Sequence, residues 1–350
     1  MAEMESRIDR CDLCALLWKA ASENNAAQLG PVRFERDRSW IKLKGITRPV
    51  FTICCGRGQC NSPGFLFGRG PIPLTSCTDF NPRPMAEISY GLAELPKADS
   101  RPHFDLVERW LQFCDNNHVK CRTSTSQAIP GRMPTRLIDV GTAGDGQVRL
   151  KMTGEGCTAR YVALSHPWGV GGGRHFVTNI ENIWQHQKGI ALEALPRTFL
   201  DAVMTTRALG IRYLWIDSIC IVQGPGGDFD VEAKNMELVF SSAYVVLAAS
   251  RAHNQFEGFL GARLPRDYVA LPSRGGQFYV CKFIDDFKGD VLESHLNKRG
   301  WVLQEHALAR RTIFFAKTQT YFECGDGVRC ETLTKMSKWV CSLPTVVLKN

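Results

Sequence analysis

The clearest pattern of hydrophobic and polar positions lies between residues 161 and 250, where short apolar runs are separated by segments with helical spacing. Apolar runs at 161–164, 213–216 and 244–249 have the length and the Val, Ile, Leu and Tyr content of buried strands. The segments before the second and third runs carry apolar residues every three or four positions, which is the period of a helix. This order predicts parallel strands joined by right-handed crossovers. We therefore expect an α/β core with a mainly parallel sheet and flanking helices.

Both connecting helices have clear boundary signals in the sequence. Pro196 suits the first position of the first helix, and Gly210 suits its C-terminal cap. Residues 224–227 read Gly-Pro-Gly-Gly, which predicts a flexible loop before the second helix. We place that second helix at 228–241.

Outside this core the pattern predicts shorter elements. In chain order they are a helix at 12–27, strand-like alternation at 31–55, a loop at 56–100, a helix at 104–116, a hairpin at 136–152, a helix at 299–306 and a hairpin at 311–324. We therefore divide the chain into an N-terminal cysteine-rich α+β region (1–155), the α/β domain (156–330) and a C-terminal tail (331–350).

Composition and charge are those of an ordinary globular protein. Of 350 residues, 44% are hydrophobic and 22% are charged, and no apolar run is long enough to predict a membrane span. The net charge of +8 is scattered without a long basic run, so nucleic acid is not expected as a partner. The first residues lack the apolar segment of a secretory signal, so we expect a cytoplasmic protein with reduced thiols.

Polar residues stand at the end of each predicted core strand. Ser165 and His166 follow the first strand, and Ser250 ends the third. Asp217 and Ser218 follow the second strand. Because the carboxyl ends of parallel strands line the ligand crevice of an α/β sheet, these side chains are the first candidates for a site.

The 14 cysteines include two groups with the spacing of metal ligands. Cys11 and Cys14 form a Cys-x-x-Cys pair near the N-terminus. Cys114, His118 and Cys121 form a second group of soft ligands. Together the two groups suit a structural zinc ion, provided that the fold brings them together. The alternative is that these cysteines are small buried hydrophobic residues in a reducing cell.

Three separated blocks of sequence resemble a known family. Residues 161–169 read Tyr-Val-Ala-Leu-Ser-His-Pro-Trp-Gly, and residues 209–223 read Leu-Gly-Ile-Arg-Tyr-Leu-Trp-Ile-Asp-Ser-Ile-Cys-Ile-Val-Gln. Residues 299–305 read Arg-Gly-Trp-Val-Leu-Gln-Glu, and Tyr-Phe-Glu-Cys follows at 321–324. In their order and spacing these blocks resemble the fungal heterokaryon-incompatibility (HET) domain family over 161–325.

The resemblance implies a role in non-self recognition in filamentous fungi, where engagement of a HET domain triggers programmed cell death as a form of innate immunity. The implied partner is a protein of the incompatibility system or a second copy of the chain. The family is also distantly similar to TIR domains, which are flavodoxin-like, and some of which cleave NAD with a glutamate. The resemblance therefore implies a flavodoxin/TIR-like sheet and NAD as a substrate.

Glu232 is the catalytic residue that the resemblance implies. The family has Trp-x-x-Glu at this place, whereas this chain reads Phe-Asp-Val-Glu at 229–232. A carboxylate here can stabilise the oxocarbenium ion that forms as nicotinamide leaves ribose. The alternative is a glutamate favoured by the helix dipole in a first turn. Asp217 is implied to shape the pocket, or it caps the following loop by accepting from backbone amides.

The resemblance implies that the remaining residues of the site bind the nucleotide. The loop 165–174 is implied to hold the phosphates through backbone amides and Arg174, although such loops are also common as flexible connections. Trp168 is implied to stack on a ring, or it is a core residue. Arg299 pairs either with a phosphate or with a buried carboxylate such as Asp217 or Glu305. Glu305 is itself a second catalytic candidate. The full predicted binding set is Ser165, His166, Trp168, Gly169, Arg174, Ser218 and Arg299.

The resemblance and the residues together leave three functions open. The first is a cell-death effector or regulator that acts by NAD hydrolysis. The second is a non-enzymatic module that signals through protein contacts alone. The third, which the sequence favours least, is a zinc-dependent nucleic-acid binder. The phenylalanine at position 229, where the family has tryptophan, favours the second.

Overall fold

The structure is a computed structural model. It describes residues 5–23, 32–36, 51–55, 58–59, 65–69, 92, 94–122, 133–154, 158–169, 175–273, 276–282, 284–298 and 300–336. The strands in these ranges are β1 (Val32–Arg36), β2 (Phe51–Cys55), β3 (Gly58–Gln59), β4 (Phe65–Arg69), β5 (Arg136–Asp139), β6 (Gln147–Met152), β7 (Tyr161–Ser165), β8 (Ile190–Ala191), β9 (Tyr213–Trp215), β10 (Val245–Ala248), β11 (Tyr268–Ser273), β12 (Gly276–Lys282), β13 (Arg311–Phe315), β14 (Thr320–Cys324), β15 (Gly327–Cys330) and β16 (Lys335–Met336).

The helices in the same ranges are α1 (Asp12–Glu23), α2 (Arg101–Asn117), α3 (Val119–Arg122), α4 (Ile183–Lys188), α5 (Arg197–Ala208), α6 (Asp217–Cys220), α7 (Phe229–Ser242) and α8 (Gly300–Leu308). Short 3-10 turns lie at Leu192–Ala194 and Leu296–Lys298, and a π-helical turn lies at Lys288–Leu292. Among the helices that the structure describes, none combines the length and the apolar content needed to cross a bilayer.

The larger sheet has the strand order β16-β15-β14-β13-β10-β7-β9-β5-β6-β8. Its centre is parallel, because β10 pairs in parallel with both β13 and β7, and β7 pairs in parallel with β9. Hairpins add antiparallel strands on both sides of this centre. The α/β class is confirmed, but the expectation of a mainly parallel sheet is wrong for the sheet as a whole, which is mixed.

The central strands are apolar throughout because helices and loops cover both of their faces. All five positions of β7 and all four of β10 are buried. A strand buried on both faces loses the alternation of a half-exposed strand and appears as a continuous apolar run. Helix α5 packs Phe199, Ala202 and Val203 into this core, as its spacing predicts. Gly210 follows the helix at φ 67°, the left-handed conformation that ends many helices.

A smaller antiparallel sheet lies outside the predicted core. Its order is β1-β2-β4-β12-β11, with β3 beside β2. The sequence predicted that 56–100 is mostly loop, and it did not predict β3 and β4, which are strands. Strand β4 pairs with β12, far along the chain, so its main partner is invisible to a reading of local composition.

Helix α2 and the hairpin of β5 and β6, which precede residue 155, pack on the strands that follow them. Helix α2 begins with Pro102 in its first turn and buries one face in the main hydrophobic core. Trp110 of α2 stacks on Phe322 of β14 with ring centroids 6.1 Å apart. The hairpin of β5 and β6 joins the same sheet as β7. The division of the chain near residue 155 remains a prediction, and it falls between neighbouring parts of one sheet.

Candidate functional site

The carboxyl edge of the parallel strands gathers the polar residues that the sequence singled out. Ser165 is the last residue of β7, and its carbonyl accepts from Ala249 N at 2.9 Å, directly after β10. Ile216 extends β9, and Asp217 then opens the short helix α6. The three strand ends are therefore neighbours, because β7 lies between β9 and β10. We call the polar group at this edge, consisting of Ser165, His166, Trp168, Asp217, Ser218, Ser250 and Glu305, the strand-edge site.

Asp217 is the centre of the strand-edge site. Its Oδ2 accepts from Trp168 Nε1 at 2.7 Å, and its Oδ1 accepts from the Ser218 amide at 2.6 Å. His166 Nε2 lies 3.6 Å from Oδ1. The His166 ring is fixed from its other side by stacking on Phe199, with centroids 4.9 Å apart and planes 12° apart. Asp217 thus joins the end of β9 to the loop after β7 and holds Trp168 in one orientation.

A second carboxylate reaches the same edge from helix α8. Ser165 Oγ donates to Glu305 Oε2 at 2.5 Å. Helix α8 packs against α7, the helix that carries Glu232. Glu305 therefore supplies an acidic group next to the end of the central strand β7.

Two hydroxyls at this edge lack hydrogen-bond partners among the residues that the structure describes. They are Ser218 Oγ, after β9, and Ser250 Oγ, after β10, and both atoms are buried. A buried hydroxyl that makes no hydrogen bond costs free energy. Both hydroxyls lie at the ends of neighbouring strands, among the other polar groups of the strand-edge site.

Glu232 lies in the first turn of α7 with its side chain buried. Its Oε1 accepts from Thr135 Oγ1 at 2.5 Å. Thr135 directly precedes β5, which runs antiparallel to β9, so the start of β5 lies near the carboxyl end of β9. Glu232 therefore lies at the same edge of the sheet as the strand-edge site. Among the described residues, no hydrogen bond or ion pair joins Glu232 to Asp217.

Of the remaining residues predicted to bind the nucleotide, the structure describes Gly169 but not Arg174 or Arg299. Gly169 follows Trp168 at φ 104°, and a Cβ atom there would stand 3.0 Å from Asn254 Cβ, so the chain needs glycine at this point. Arg174 and Arg299 lie outside the described residues. Their predicted roles with phosphates therefore remain predictions.

A pocket that sequence reasoning missed opens beside the strand-edge site, just after β10 and β13. Its volume is about 400 Å³. Arg251 follows β10 and donates to the carbonyl oxygens of Gly261 and Ala262. Lys317 supplies a second cation after β13, and Glu257 supplies a carboxylate, so the lining carries charges of both signs. The lining residues are Arg251, His253, Glu257, Gly258, Gly261 and Lys317.

A separate cluster of sulfur and nitrogen ligands lies between α2, α3 and β14. Cys114, His118, Cys121 and Cys324 each offer one ligand atom, and these four atoms lie within 4.8 Å of one another. The sequence predicted the first three. The predicted pairing with Cys11 and Cys14 is corrected to Cys324 at the end of β14.

Cys11 and Cys14 do not join this cluster. Both lie at the start of α1, where the Cys14 amide donates to Cys11 Sγ at 3.4 Å. Helix α1 contacts β11 of the smaller sheet. A Cys-x-x-Cys spacing fixes only the local distance between two thiols, so it could not show which part of the chain they approach.

The thiol chemistry of the cluster favours a metal ligand. The hydrogen bond with Cys114 lowers the pKa of Cys324 to about 5, helped by the Asp326 amide and by His118. The same hydrogen bond and burial raise the pKa of Cys114. Because the thiolate is the form that binds metals, Cys324 is prepared to be a ligand near neutral pH.

Comparison with protein families identifies one segment of the chain. Residues 161–305 match the family described as Heterokaryon incompatibility protein (HET). No curated protein and no solved structure matches the chain. The resemblance seen in the sequence blocks is therefore confirmed over this segment, which holds Ser165, Asp217, Glu232 and Glu305.

Proposed function

We propose, from the HET domain in residues 161–305, that this protein is an effector or regulator of programmed cell death in fungal non-self recognition, and that it acts by NAD hydrolysis. The family match supports the incompatibility role. One observation carries the chemical part: polar groups at the ends of three neighbouring strands, with the buried hydroxyls of Ser218 and Ser250 facing no partner in the described chain. That arrangement suits a ligand rich in hydroxyls, such as the ribose of a dinucleotide.

The proposed reaction breaks the N-glycosidic bond between nicotinamide and ribose. Nicotinamide leaves with the bonding electron pair, and the ribosyl carbon becomes an oxocarbenium ion. A water molecule then attacks this carbon and releases a proton, which gives ADP-ribose. A carboxylate stabilises the cation and can take that proton, as carboxylates do in glycoside hydrolysis.

Each residue of the site has a proposed role that follows from its position. Glu232 stabilises the ribosyl cation from α7, held by the Thr135 hydroxyl. Asp217 shapes the pocket by fixing Trp168, which offers a ring for stacking. The loop from Ser165 toward Arg174 holds the phosphates. TIR-like enzymes act as assemblies, so we expect the activity to depend on self-association.

Nicotinamide release tests this proposal. The purified full chain is incubated with NAD over a range of protein concentrations, and nicotinamide is measured by chromatography. We expect release from the wild type and a fall of about 100-fold or more in Glu232→Gln, because the neutral amide cannot stabilise a cation. Glu237→Gln is the matched control, since Glu237 is an exposed glutamate on the same helix and its loss should leave release unchanged.

One result would overturn NAD hydrolysis: the absence of nicotinamide at every concentration, including those at which the protein self-associates. Full activity in a folded Glu232→Gln variant would instead overturn the catalytic role of Glu232. The absence of release supports the non-enzymatic module, which one observation favours: Phe229 and Val231 precede Glu232 on the first turn of α7 and are 49% and 62% exposed. Exposed hydrophobic side chains of this kind suit a protein contact.

The wider setting of the proposal has two parts. We place the protein in the cytoplasm. Its partner is either another protein of the incompatibility system or a second copy of this chain.

A further inference from the structure

We propose that Cys114, His118, Cys121 and Cys324 bind one Zn²⁺ ion, and that this ion fastens α2 and α3 to strand β14. The four ligand atoms lie within 4.8 Å of one another. Three thiols and one imidazole are a standard ligand set for structural zinc, which takes four ligands in a tetrahedron. Soft sulfur ligands exclude calcium and magnesium, which prefer oxygen.

The local fold places the first three ligands together. Cys114 is in the last turn of α2, and His118 caps that helix, with its amide donating to the Cys114 carbonyl at 3.0 Å. Residues four apart on a helix lie on the same face. The chain then turns into α3, where the Cys121 amide donates to the His118 carbonyl at 3.0 Å. The end of α2, the turn after it and α3 thus bring three ligands to one point.

The orientation of His118 is that of a metal-bound histidine. Its Nδ1 lies 3.4 Å from Cys324 Sγ and faces the cluster. Its Nε2 lies 3.3 Å from Asp326 Oδ2, on the opposite side of the ring. A zinc-bound histidine typically donates its second ring N–H to a carboxylate, which fixes the ring and its tautomer. Asp326 therefore has the position of the supporting carboxylate.

The surroundings of the thiols also suit a bound ion. The Asp326 amide donates to Cys324 Sγ at 3.5 Å. Arg311 is buried beside the cluster, where it donates to the Cys121 carbonyl at 3.0 Å and pairs with the Asp115 carboxylate at 2.7 Å. A Cβ atom on Gly325 would lie 3.2 Å from Cys121 Sγ, so glycine permits the close approach of β14 and α3.

The ion would join parts of the chain that lie on either side of the HET segment. His118 precedes residue 161, Cys324 follows residue 305, and the two are 206 positions apart. A cross-link between distant positions removes conformational freedom from the unfolded chain, and metal binding of this kind is coupled to folding. With all four positions filled by protein ligands, the role is structural and not catalytic.

Metal analysis of the purified full chain tests the proposal. We expect one zinc ion per wild-type chain, measured by plasma mass spectrometry after exhaustive dialysis, and loss of that zinc in Cys324→Ser. Cys330→Ser is the matched control, because Cys330 is equally buried on the adjacent strand β15 but lies outside the cluster. Cys14→Ser should also keep its zinc. A chelator should lower the melting temperature of the wild type, and added Zn²⁺ should restore it.

Asp326→Asn keeps the test valid if Cys324→Ser fails to fold. Asp326 is partly exposed, so the variant should fold with zinc present. We expect the Kd for Zn²⁺ to rise about 10–100-fold, since supporting carboxylates contribute this much to metal affinity. Co²⁺ added to the metal-free wild type should give the intense absorption of a tetrahedral thiolate site, and this band should weaken in Cys121→Ser.

Three results would each overturn the site: a wild-type chain that binds no zinc, a folded Cys324→Ser variant that retains it, or a loss of zinc in Cys14→Ser. These readouts are metal content, stability and absorption. They are separate from nicotinamide release, so a failure of the zinc site and a failure of NAD hydrolysis would be told apart.

Discussion

Individual carboxylates in this protein are fixed by donors from distant parts of the chain. Asp217 accepts from Trp168, and Glu232 accepts from Thr135, which lies 97 positions away. Asp139 at the end of β5 shows the electrostatic consequence most clearly. Burial raises its pKa, but hydrogen bonds from Arg212, Lys151 and the Gly141 amide outweigh burial and lower the pKa to about 2.

We predict that Asp139 makes the stability of the protein depend on pH in the acid range. Its folded pKa lies below the ordinary value of 3.8, so its contribution is fully present above that value and is lost as the pH falls toward 2. After allowance for solvent around the exposed Arg212, the contribution should be about 1–2 kcal/mol. Urea unfolding from pH 7 to pH 2 should show Asp139→Asn less stable at neutral pH and equal to the wild type near pH 2.

Asp105→Asn provides the control for this measurement. Asp105 pairs with Arg101 on the surface, where the two side chains are 34% and 67% exposed. Such a pair contributes less than about 1 kcal/mol, so its removal should change the pH profile little. If the wild type and Asp139→Asn lose stability in parallel between pH 5 and pH 2, the account of Asp139 is wrong.

At the scale of strands and helices, the local pattern of the sequence predicted most of the elements in the core. The run at 244–249 predicted β10, and Pro196 and Gly210 marked the ends of α5 within one or two residues. Patterning failed at β4, because Gly- and Pro-rich sequence surrounds a strand whose partner, β12, comes about two hundred residues later. Patterning also left β11 and β12 unassigned, although these two strands form a local hairpin.

The central position of β10 predicts a large cost for truncating its core. Leu247 is fully buried between neighbours on both sides of the sheet, Leu164 of β7 and Ile313 of β13. We expect Leu247→Ala to lower the free energy of unfolding by about 2–5 kcal/mol, because it removes buried methyl groups and leaves a cavity. Denaturant unfolding followed by circular dichroism measures this change.

Leu264→Ala is the matched comparison, since Leu264 is 87% exposed and loses the same atoms. We expect a change within about 0.5 kcal/mol. Equal effects of the two substitutions would show that β10 does not occupy the centre of the core.

At the scale of the whole molecule, a buried ion pair joins three regions. Arg263 makes two hydrogen bonds to Glu331, after β15, and one to the Pro96 carbonyl at 2.6 Å. Glu331 also lies 3.7 Å from His103 of α2. Burial lowers the pKa of His103, so near neutral pH the ring is uncharged and Arg263 is the cation that balances Glu331. This group ties the segment before α2 to the hairpins after the HET segment.

We predict that breaking this pair from one side is more damaging than removing both charges. Arg263→Met leaves the Glu331 carboxylate buried without its cation, which should cost about 3–5 kcal/mol. The double variant Arg263→Met/Glu331→Gln should be more stable than Arg263→Met alone, because no uncompensated charge remains. A double-mutant cycle from urea unfolding gives both values, and additive effects would contradict the ion pair.

The sequence by itself determined the elements whose information is local. Hydrophobic periodicity and helix-end residues were sufficient to predict the three parallel strands between 161 and 250 and the helices α5 and α7. The spacing of Cys114, His118 and Cys121 was sufficient to predict that these three residues form one group of ligands. Only the tertiary structure decided which elements meet: β4 with β12, Cys324 with Cys114, Thr135 with Glu232, and Glu305 with Ser165. The physical reason is that periodicity records which face of one element is buried, whereas a contact between distant residues depends on the packing of all the elements between them.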